Sequence, residues 1–248
     1  MRKLFRTHRK LKITILIVIA CICVYPLHLV LLHSSNAKHD RIWDELVDHA
    51  IANGITYKPT RDPSIDRVHF YDKTRNFRTR SGLTSNYQGY LNSSGDLVLP
   101  PIYKYAQREF CEGLAHVALP DGTGAFIHPD GSIAFKANYD YVSSFVNGMA
   151  QVRNEISSRG ITPQIRTGFI NQSGELVIPI QYADSRSNHF IGDYTLVYER
   201  TIYSPIYDKL MDGIDVSLGL EVLLPLRLRF VDKEGNQVSP SEVRRSIK

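Results

Sequence analysis

The chain has 248 residues, of which 43% are hydrophobic and 22% charged, the composition of a folded protein with one or two domains. This composition excludes a disordered tail and a collagen-like polymer. The net charge is +5, but six Lys and Arg lie within the first twelve residues, which leaves 24 basic against 25 acidic residues elsewhere. A nucleic-acid-binding protein is therefore not expected, because neutralising phosphates requires a basic face.

A long apolar run follows the basic cluster. Residues 13–32 carry no formal charge, and as a helix these twenty residues would span about 30 Å, the thickness of the hydrocarbon core of a bilayer. Lys and Arg accumulate on the cytoplasmic side of membranes. The pattern thus predicts a single-pass protein with a cytoplasmic tail (1–12), a transmembrane helix (13–33) and an extracytoplasmic remainder, in the periplasm or at the cell surface.

Three alternatives for this segment stay open. A cleaved secretory signal would use Ser35-Asn36-Ala37 as its small-x-small site, but its apolar core would be shorter. Residues 18–21 resemble a lipoprotein cleavage box, which would place a lipid on Cys21. The third alternative is a buried helix of a soluble protein, which the adjacent basic cluster disfavours.

Cysteine usage gives no disulfide framework. Cys21 and Cys23 lie within the proposed span, so Cys111 is alone in the outer part and cannot form an intramolecular disulfide there. Its simplest interpretation is a small core residue.

Residues 40–54 have the spacing of a short amphipathic helix, with Ile42 and Leu46, and Trp43 and Val47, each four positions apart. Asn53-Gly54 is a plausible stop. Residues 55–80 are rich in basic residues and predict an irregular connector with one strand at 67–71. The expected organisation is a helix and connector over 34–86, followed by a repeat domain over 87–248.

From Gly89 onward the chain repeats itself. Three segments share residue types at matching offsets, and a fourth begins near the end of the chain. Their turn glycines are separated by 36, 43 and 61 residues, which is a strong repeat signal. The segments are 89–119, 125–152 and 168–197, with a truncated unit at 229–238.

Each unit has a physical interpretation as short antiparallel strands. An aromatic and an aliphatic residue lead into a tight turn whose glycine, Gly95 in the first unit, supplies a positive φ. A second apolar strand follows and ends at a proline such as Pro100. A Phe-x-x-Gly turn at 110–113 or 145–148 then precedes an alternating strand. No unit could bury its apolar face alone, so neighbouring units should stack into a continuous core.

These units resemble the repeats of bacterial WG-repeat proteins, which run Trp-Gly-Phe-Ile-Asp-x-x-Gly-x-x-Val-Ile-Pro-x-x-Tyr-Asp and then Phe-x-x-Gly-Leu-Ala-x-Val. The second half of the pattern is clearest at 110–117 and 145–152, and the match covers residues 87 to about 198 and 229–238. At the position of the family's Trp this chain has Gln88, Gly124 and Thr167. A function tied to that Trp is therefore not expected.

The resemblance implies a fold class and a role. The fold is all-β, with tandem antiparallel β-hairpin repeats in a short solenoid or a partial propeller-like array, here preceded by one transmembrane helix and a short amphipathic helix. The role is that of an interaction module, with no catalytic residues, metal ligands or cofactors to carry over.

Motifs for chemistry are missing from the sequence. It has no Gly-rich phosphate loop, no Cys-x-x-Cys, no His-Glu-x-x-His and no Gly-x-Ser-x-Gly. Asp184, Ser185 and His189 are close in sequence, but short spacing in a turn does not indicate a nucleophile bonded to its base. Asn92 and Asn171 fit the glycosylation pattern, yet both fall at the repeat turn and are interpreted as turn residues.

The connections between units lengthen along the chain. From the last inward Val of one unit to the first aromatic of the next, the separations are 9, 17 and 33 residues. In a stacked array such insertions emerge on a common side, which is often the binding side. Tyr and Arg are favoured at binding hot spots, so the predicted partner-binding residues are Arg153, Arg159, Arg166, Tyr203, Tyr207 and Asp208. The alternatives are solvated loops, or a decayed repeat at 205–208.

The sequence therefore favours a membrane-anchored extracytoplasmic β-repeat module that binds a protein or an envelope component without catalysis. A narrower alternative is an immunity protein against an extracytoplasmic toxin. An enzyme, a hydrolase of an envelope polymer, is the other class, and it would require several carboxylates converging in one pocket.

Overall fold

A computed structural model describes residues 29–70, 87–156, 164–200 and 226–247. Within these ranges the chain forms two helices and fifteen strands. The helices are α1 (29–52) and α2 (Pro240–Ser246). The strands are β1 (Ile65–Phe70), β2 (Tyr87–Asn92), β3 (Leu97–Tyr103), β4 (Tyr105–Ala106), β5 (Ala115–Ala118), β6 (Gly124–Ile127), β7 (Ile133–Lys136), β8 (Tyr141–Val142), β9 (Met149–Ile156), β10 (Gln164–Asn171), β11 (Leu176–Tyr182), β12 (Asp184–Ser185), β13 (Tyr194–Arg200), β14 (Leu226–Asp232) and β15 (Gln237–Val238).

The strands form four antiparallel meanders, each in chain order. Sheet I contains β1–β3, sheet II β4–β7, sheet III β8–β11 and sheet IV β12–β15. Each of sheets II to IV combines the last two strands of one sequence unit with the first two strands of the next. The sequence repeats and the sheets are therefore out of phase by half a unit.

Hydrophobic cores hold consecutive sheets together. Alternate residues of each strand face opposite sides of its sheet. In sheets II and III both sides contribute residues to a core, so both faces are buried. The side chains at the centres of the three inter-sheet cores are fully buried aromatic residues: Tyr90 and Phe110 between sheets I and II, Phe126 and Phe145 between II and III, and Phe169 and Phe190 between III and IV. Among the described residues no core joins sheet I to sheet IV, so the stack is open.

Two glycines show how tightly the units fit. At Gly168 a Cβ would lie 2.5 Å from the carbonyl oxygen of Ile178, because the bulged strand β11 approaches β10 there. Gly174 has a φ of +83°, and a Cβ on it would lie 2.5 Å from the ring of Phe135 in the preceding unit. The turn at Gly174 thus rests on a side chain of the preceding unit.

Helices α1 and α2 cover the outer face of sheet IV. The buried stripe of α1 agrees with the predicted one at Ile42, Trp43 and Leu46, which pack with Phe230 of β14 and Val243 of α2. Ile51, which the four-residue spacing also placed on the stripe, is 56% exposed. The α2 helix begins with a capping box, in which Ser239 and Glu242 each bond the backbone of the other. The two helices therefore cap one end of the stack.

A connecting segment, residues 53–64, runs back across the stack from α1 to β1. The carbonyl of Thr56 accepts a hydrogen bond from Asn147 at the tight turn of sheet III, 2.6 Å away. The amide of Asp62 donates to the carbonyl of Phe110 at the equivalent turn of sheet II, at 2.9 Å. This connecting segment therefore covers the side of the stack that carries the Phe-x-x-Gly turns.

Several predicted boundaries need correction. The amphipathic helix does not begin at 40, because the chain is already helical from the first described residue, 29, through 52. The strand expected at 67–71 is present at Ile65–Phe70, but it pairs with β2, so the β-domain begins before 87. Residues Pro240–Ser246, which follow the truncated unit, form α2.

The proposed transmembrane segment lies largely outside the described residues, which begin at 29. Among the helices of the described ranges, none is both long and apolar enough to cross a membrane. The membrane span at 13–33 therefore stays a prediction.

Candidate functional site: the extended hairpins

The lengthening connections of the sequence begin as extended β-hairpins. Hairpin β5–β6 ends its pairing at Ala118 and Gly124, whereas β9–β10 continues to Ile156 and Gln164. Hairpin β13–β14 likewise continues to its last pair at 200 and 226. The three hairpins occupy the same position in consecutive packed sheets, so their ends lie on one side of the stack. We call this the hairpin side, and it is opposite the Phe-x-x-Gly turns.

The structure describes two of the six predicted partner-binding residues. Arg153 and Arg166 lie on β9 and β10, but Arg153 pairs with Thr167 while Arg166 pairs with Asn154. Directly paired residues share a face and successive residues alternate, so the two arginines project from opposite faces of sheet III. They do not form one site. The remaining four, Arg159, Tyr203, Tyr207 and Asp208, lie outside the described residues.

Arg153 lies at the centre of a polar cluster between sheets III and IV. Its Nε donates to Oε1 of Gln151 at 3.0 Å, and its Nη2 contacts Oδ1 of Asp184 at 3.0 Å. The same Nη2 donates to Oδ1 of Asn188 at 3.3 Å, and the guanidinium lies 5.1 Å from the ring centre of Tyr141. The side chain of Arg153 is 26% exposed, so the cluster is accessible from solvent.

A buried hydrogen-bond network lies beside this cluster. Nε2 of Gln151 donates to Oγ of Ser185 at 2.5 Å, and the backbone amide of Gln151 donates to Oγ of Ser143 at 2.8 Å. All three residues are buried. Buried polar side chains that are bonded to one another fix a unique geometry, so the network sets how sheet IV sits on sheet III.

The geometry around Ser185 differs from that of an activated nucleophile. Its hydroxyl donates to the carbonyl of Ser187 at 2.6 Å rather than to a histidine. Burial lowers the pKa of His189. Asp184 contacts Arg153 instead of orienting an imidazole. Within the described ranges no group of three or more His, Cys, Asp or Glu side chains is arranged to hold a metal ion.

Cys111 has the environment expected of a core residue. It is fully buried, and this burial raises the pKa of its thiol. The two turn asparagines also behave as interpreted from the sequence, since Oδ1 of Asn92 accepts from the amides of Ser94 and Asp96. Oδ1 of Asn171 makes the equivalent bonds in the third unit.

Thr167, at the position of the family's Trp, leaves a hydroxyl unsatisfied. The residue is fully buried and its Oγ1 has no hydrogen-bond partner. We expect Thr167→Val to raise the free energy of unfolding by about 1 kcal/mol, since it removes a buried polar group without changing shape. Urea denaturation followed by circular dichroism measures this.

The control for this prediction is Thr195→Val. Thr195 is equally buried, but its Oγ1 donates to the carbonyl of His189 at 3.5 Å. The same substitution there should bring no gain in stability. An equal gain at both positions would show that the missing hydrogen bond at Thr167 is not the cause.

Sequence reasoning missed the partners of Arg153. One signal was available: aligning the units places Gln151 where the third unit has Leu196, so a polar residue stands at a core-facing position of an alternating strand. Asn188 and Tyr141 had no such signal, because their contacts depend on how sheets III and IV pack.

The side chain of Asn36 holds the N-terminal half of α1 against the hairpin side. Its Nδ2 donates to the carbonyl of Leu226 and its Oδ1 accepts from the amide of Leu228, both at 2.9 Å. The side-chain amide of Asn36 therefore makes the hydrogen bonds of a neighbouring strand to the part of β14 that the two-residue strand β15 does not pair with. The preceding residues Val30 and Leu31 are 65% and 62% exposed.

Comparison with known proteins identifies the repeats. Residues 89–118, 125–155 and 168–188 match the family described as WG containing repeat. No curated protein and no solved structure matches the chain. Three units of the described β-stack therefore match the WG repeat, and the resemblance found in the sequence is confirmed for these three segments. The hairpin β14–β15 lies beyond the matched residues but pairs as the first two strands of a further unit.

Proposed function

We propose that this protein is a membrane-anchored, extracytoplasmic WG-repeat module that binds a protein or envelope component through its hairpin side and performs no catalysis. The observation that carries the proposal is the asymmetry of the stack. The hairpins of sheets III and IV are extended on one side, whereas the connecting segment 53–64 covers the turns on the other.

The chemistry of the hairpin side suits a protein partner. Ile165, on the same face of sheet III as Arg153, is 48% exposed near the end of hairpin β9–β10. Arg153 and Tyr141 lie at its base, and Arg and Tyr are common at binding hot spots. An apolar residue at the end of the hairpin above a rigid polar cluster combines area for burial with fixed hydrogen-bonding groups.

Membrane anchoring would bring this side close to the bilayer. The predicted span 13–33 leads directly into α1, whose Asn36 is bonded to β14 at the hairpin side. An anchored chain would therefore present the extended hairpins to partners at the membrane surface. A reporter fused after Lys248 tests the predicted compartment of the domain.

Site-directed photo-cross-linking in membranes tests the binding side. A photoreactive residue at Ile165 should form an adduct with a specific partner, while one at Leu176, on the side of the tight turns and 44% exposed, should not. Arg153→Ala should reduce the adduct from Ile165 by about tenfold, because Arg153 lies on the same face of the hairpin as Ile165 and arginine is a frequent binding hot spot. Equal adducts at Ile165 and Leu176, or an adduct insensitive to Arg153→Ala, would contradict the proposal.

A further inference from the structure

A basic cleft lies between α1 and α2. Its volume is about 350 Å³. Five of its six lining residues come from α1 and the sixth comes from α2: Ser34, Lys38, Arg41, Ile42, Glu45 and Arg244. Three cations thus face a single carboxylate in a space large enough for a phosphate group and part of its substituent.

The carboxylate of the cleft is already engaged. Oε2 of Glu45 accepts from Nε of Arg244 at 2.9 Å, and Oε1 accepts from Nη2 of the same guanidinium. Lys38 and Arg41 are exposed and make no hydrogen bond or ion pair with any residue that the structure describes. Their two charges are therefore available to an anion.

The other acids near this part of α1 face away from the cleft. Asp40 forms an ion pair with Arg186 at 3.1 Å, and Asp44 also lies close enough to act on that guanidinium. Both therefore face the sheet IV side of the helix. The segregation arises from spacing, because positions 34, 38, 41 and 45 form one stripe along a helix.

The cleft lies close to the end of the predicted membrane span. Ser34 directly follows the span, and the helix is continuous through this region. At 1.5 Å per residue Lys38 lies about 7 Å beyond His33 along the axis. The polar headgroup layer of a bilayer is about 5–8 Å thick on each side, so the mouth of the cleft lies at headgroup depth.

We propose that this cleft binds the phosphate of an anionic phospholipid in the outer leaflet of the membrane that anchors the chain. This proposal rests on the proposed anchoring. Lys38 and Arg41 supply the charge and Ser34 a hydroxyl donor. Arg244, fixed by Glu45, forms the far wall.

The test measures lipid retention on the full chain purified in a non-ionic detergent. Native mass spectrometry compares phosphatidylglycerol with phosphatidylcholine of the same acyl chains. We expect the anionic lipid to be retained preferentially, and the double variant Lys38→Gln/Arg41→Gln to weaken its binding by about tenfold or more. A charge-matched control, Lys104→Gln/Lys136→Gln, changes a residue just before β4 and one on β7, away from the cleft, and should leave it unchanged.

Different outcomes separate the cleft from the anchor. Equal retention of both lipids, or equal loss in both double variants, overturns the cleft even if the chain floats with membranes. Displacement of phosphatidylglycerol by millimolar inorganic phosphate at equal affinity overturns the lipid assignment, since it identifies a site for free phosphate. Recovery of the full chain in the soluble fraction of cells overturns the anchoring itself.

Discussion

Gly168→Ala is expected to destabilise the protein by about 3 kcal/mol or more, because the added methyl group meets backbone rather than a movable side chain. A Cβ at this position would lie 2.5 Å from the carbonyl oxygen of Ile178 and 2.9 Å from the amide nitrogen of Ile180. Relieving the clash requires the bulge of β11 to move away from β10. Urea denaturation followed by circular dichroism measures the loss.

The matched control for Gly168→Ala is Gly113→Ala. Gly113 has a φ of +77° but no atom within 4 Å of the position of a Cβ. Its substitution should cost only the strain of a left-handed alanine, about 1 kcal/mol. If the two variants lose equal stability, the close approach of β10 and β11 is not what requires the glycine of the WG repeat.

Trp43→Ala is expected to lower the free energy of unfolding by about 3–5 kcal/mol. Trp43, the only tryptophan of the chain, is 5% exposed in the core between α1 and sheet IV. Its ring centre lies 6.5 Å from that of Phe230. Thermal unfolding followed by far-ultraviolet circular dichroism measures the effect without relying on tryptophan fluorescence.

Ile51→Ala provides the comparison for Trp43→Ala on the same helix. Ile51 is 56% exposed, so its truncation should change stability by less than about 0.5 kcal/mol. Comparable losses at the two positions would mean that α1 is stabilised by its own helix propensity rather than by docking on sheet IV. In that case α1 would not fix the orientation of the domain relative to an anchor.

The hairpins and their turns could be predicted from the sequence because their signals are local. Gly95 and the paired apolar residues around it define a turn and two strands within ten residues. The stripe of α1 was visible for the same reason. The full length of α1 could not be predicted, because residues 34–39 show no apolar spacing. Contacts such as the hydrogen bonds of Asn36 to β14 depend on tertiary structure.

The polar cluster of Arg153 shows where sequence reasoning ends. Arg153 was identified as a candidate from its place in a lengthened connection. Whether Arg153 and Arg166 share one face depends on the strand register, which the sequence does not give. In the structure Thr167, and not Arg166, is paired with Arg153. Contacts with Asp184 and Asn188 then depend on how two sheets pack, which no local pattern encodes.

The half-unit offset between repeats and sheets explains how the array ends. Because each sheet takes two strands from one unit and two from the next, the last sheet needs half of a further unit. The truncated fourth unit supplies that half as β14 and β15. At the opposite end, the connecting chain supplies β1, which pairs with β2 in sheet I. The incomplete fourth unit therefore completes sheet IV. Shortening the chain at the boundary of a sequence unit would remove half of the strands of a sheet.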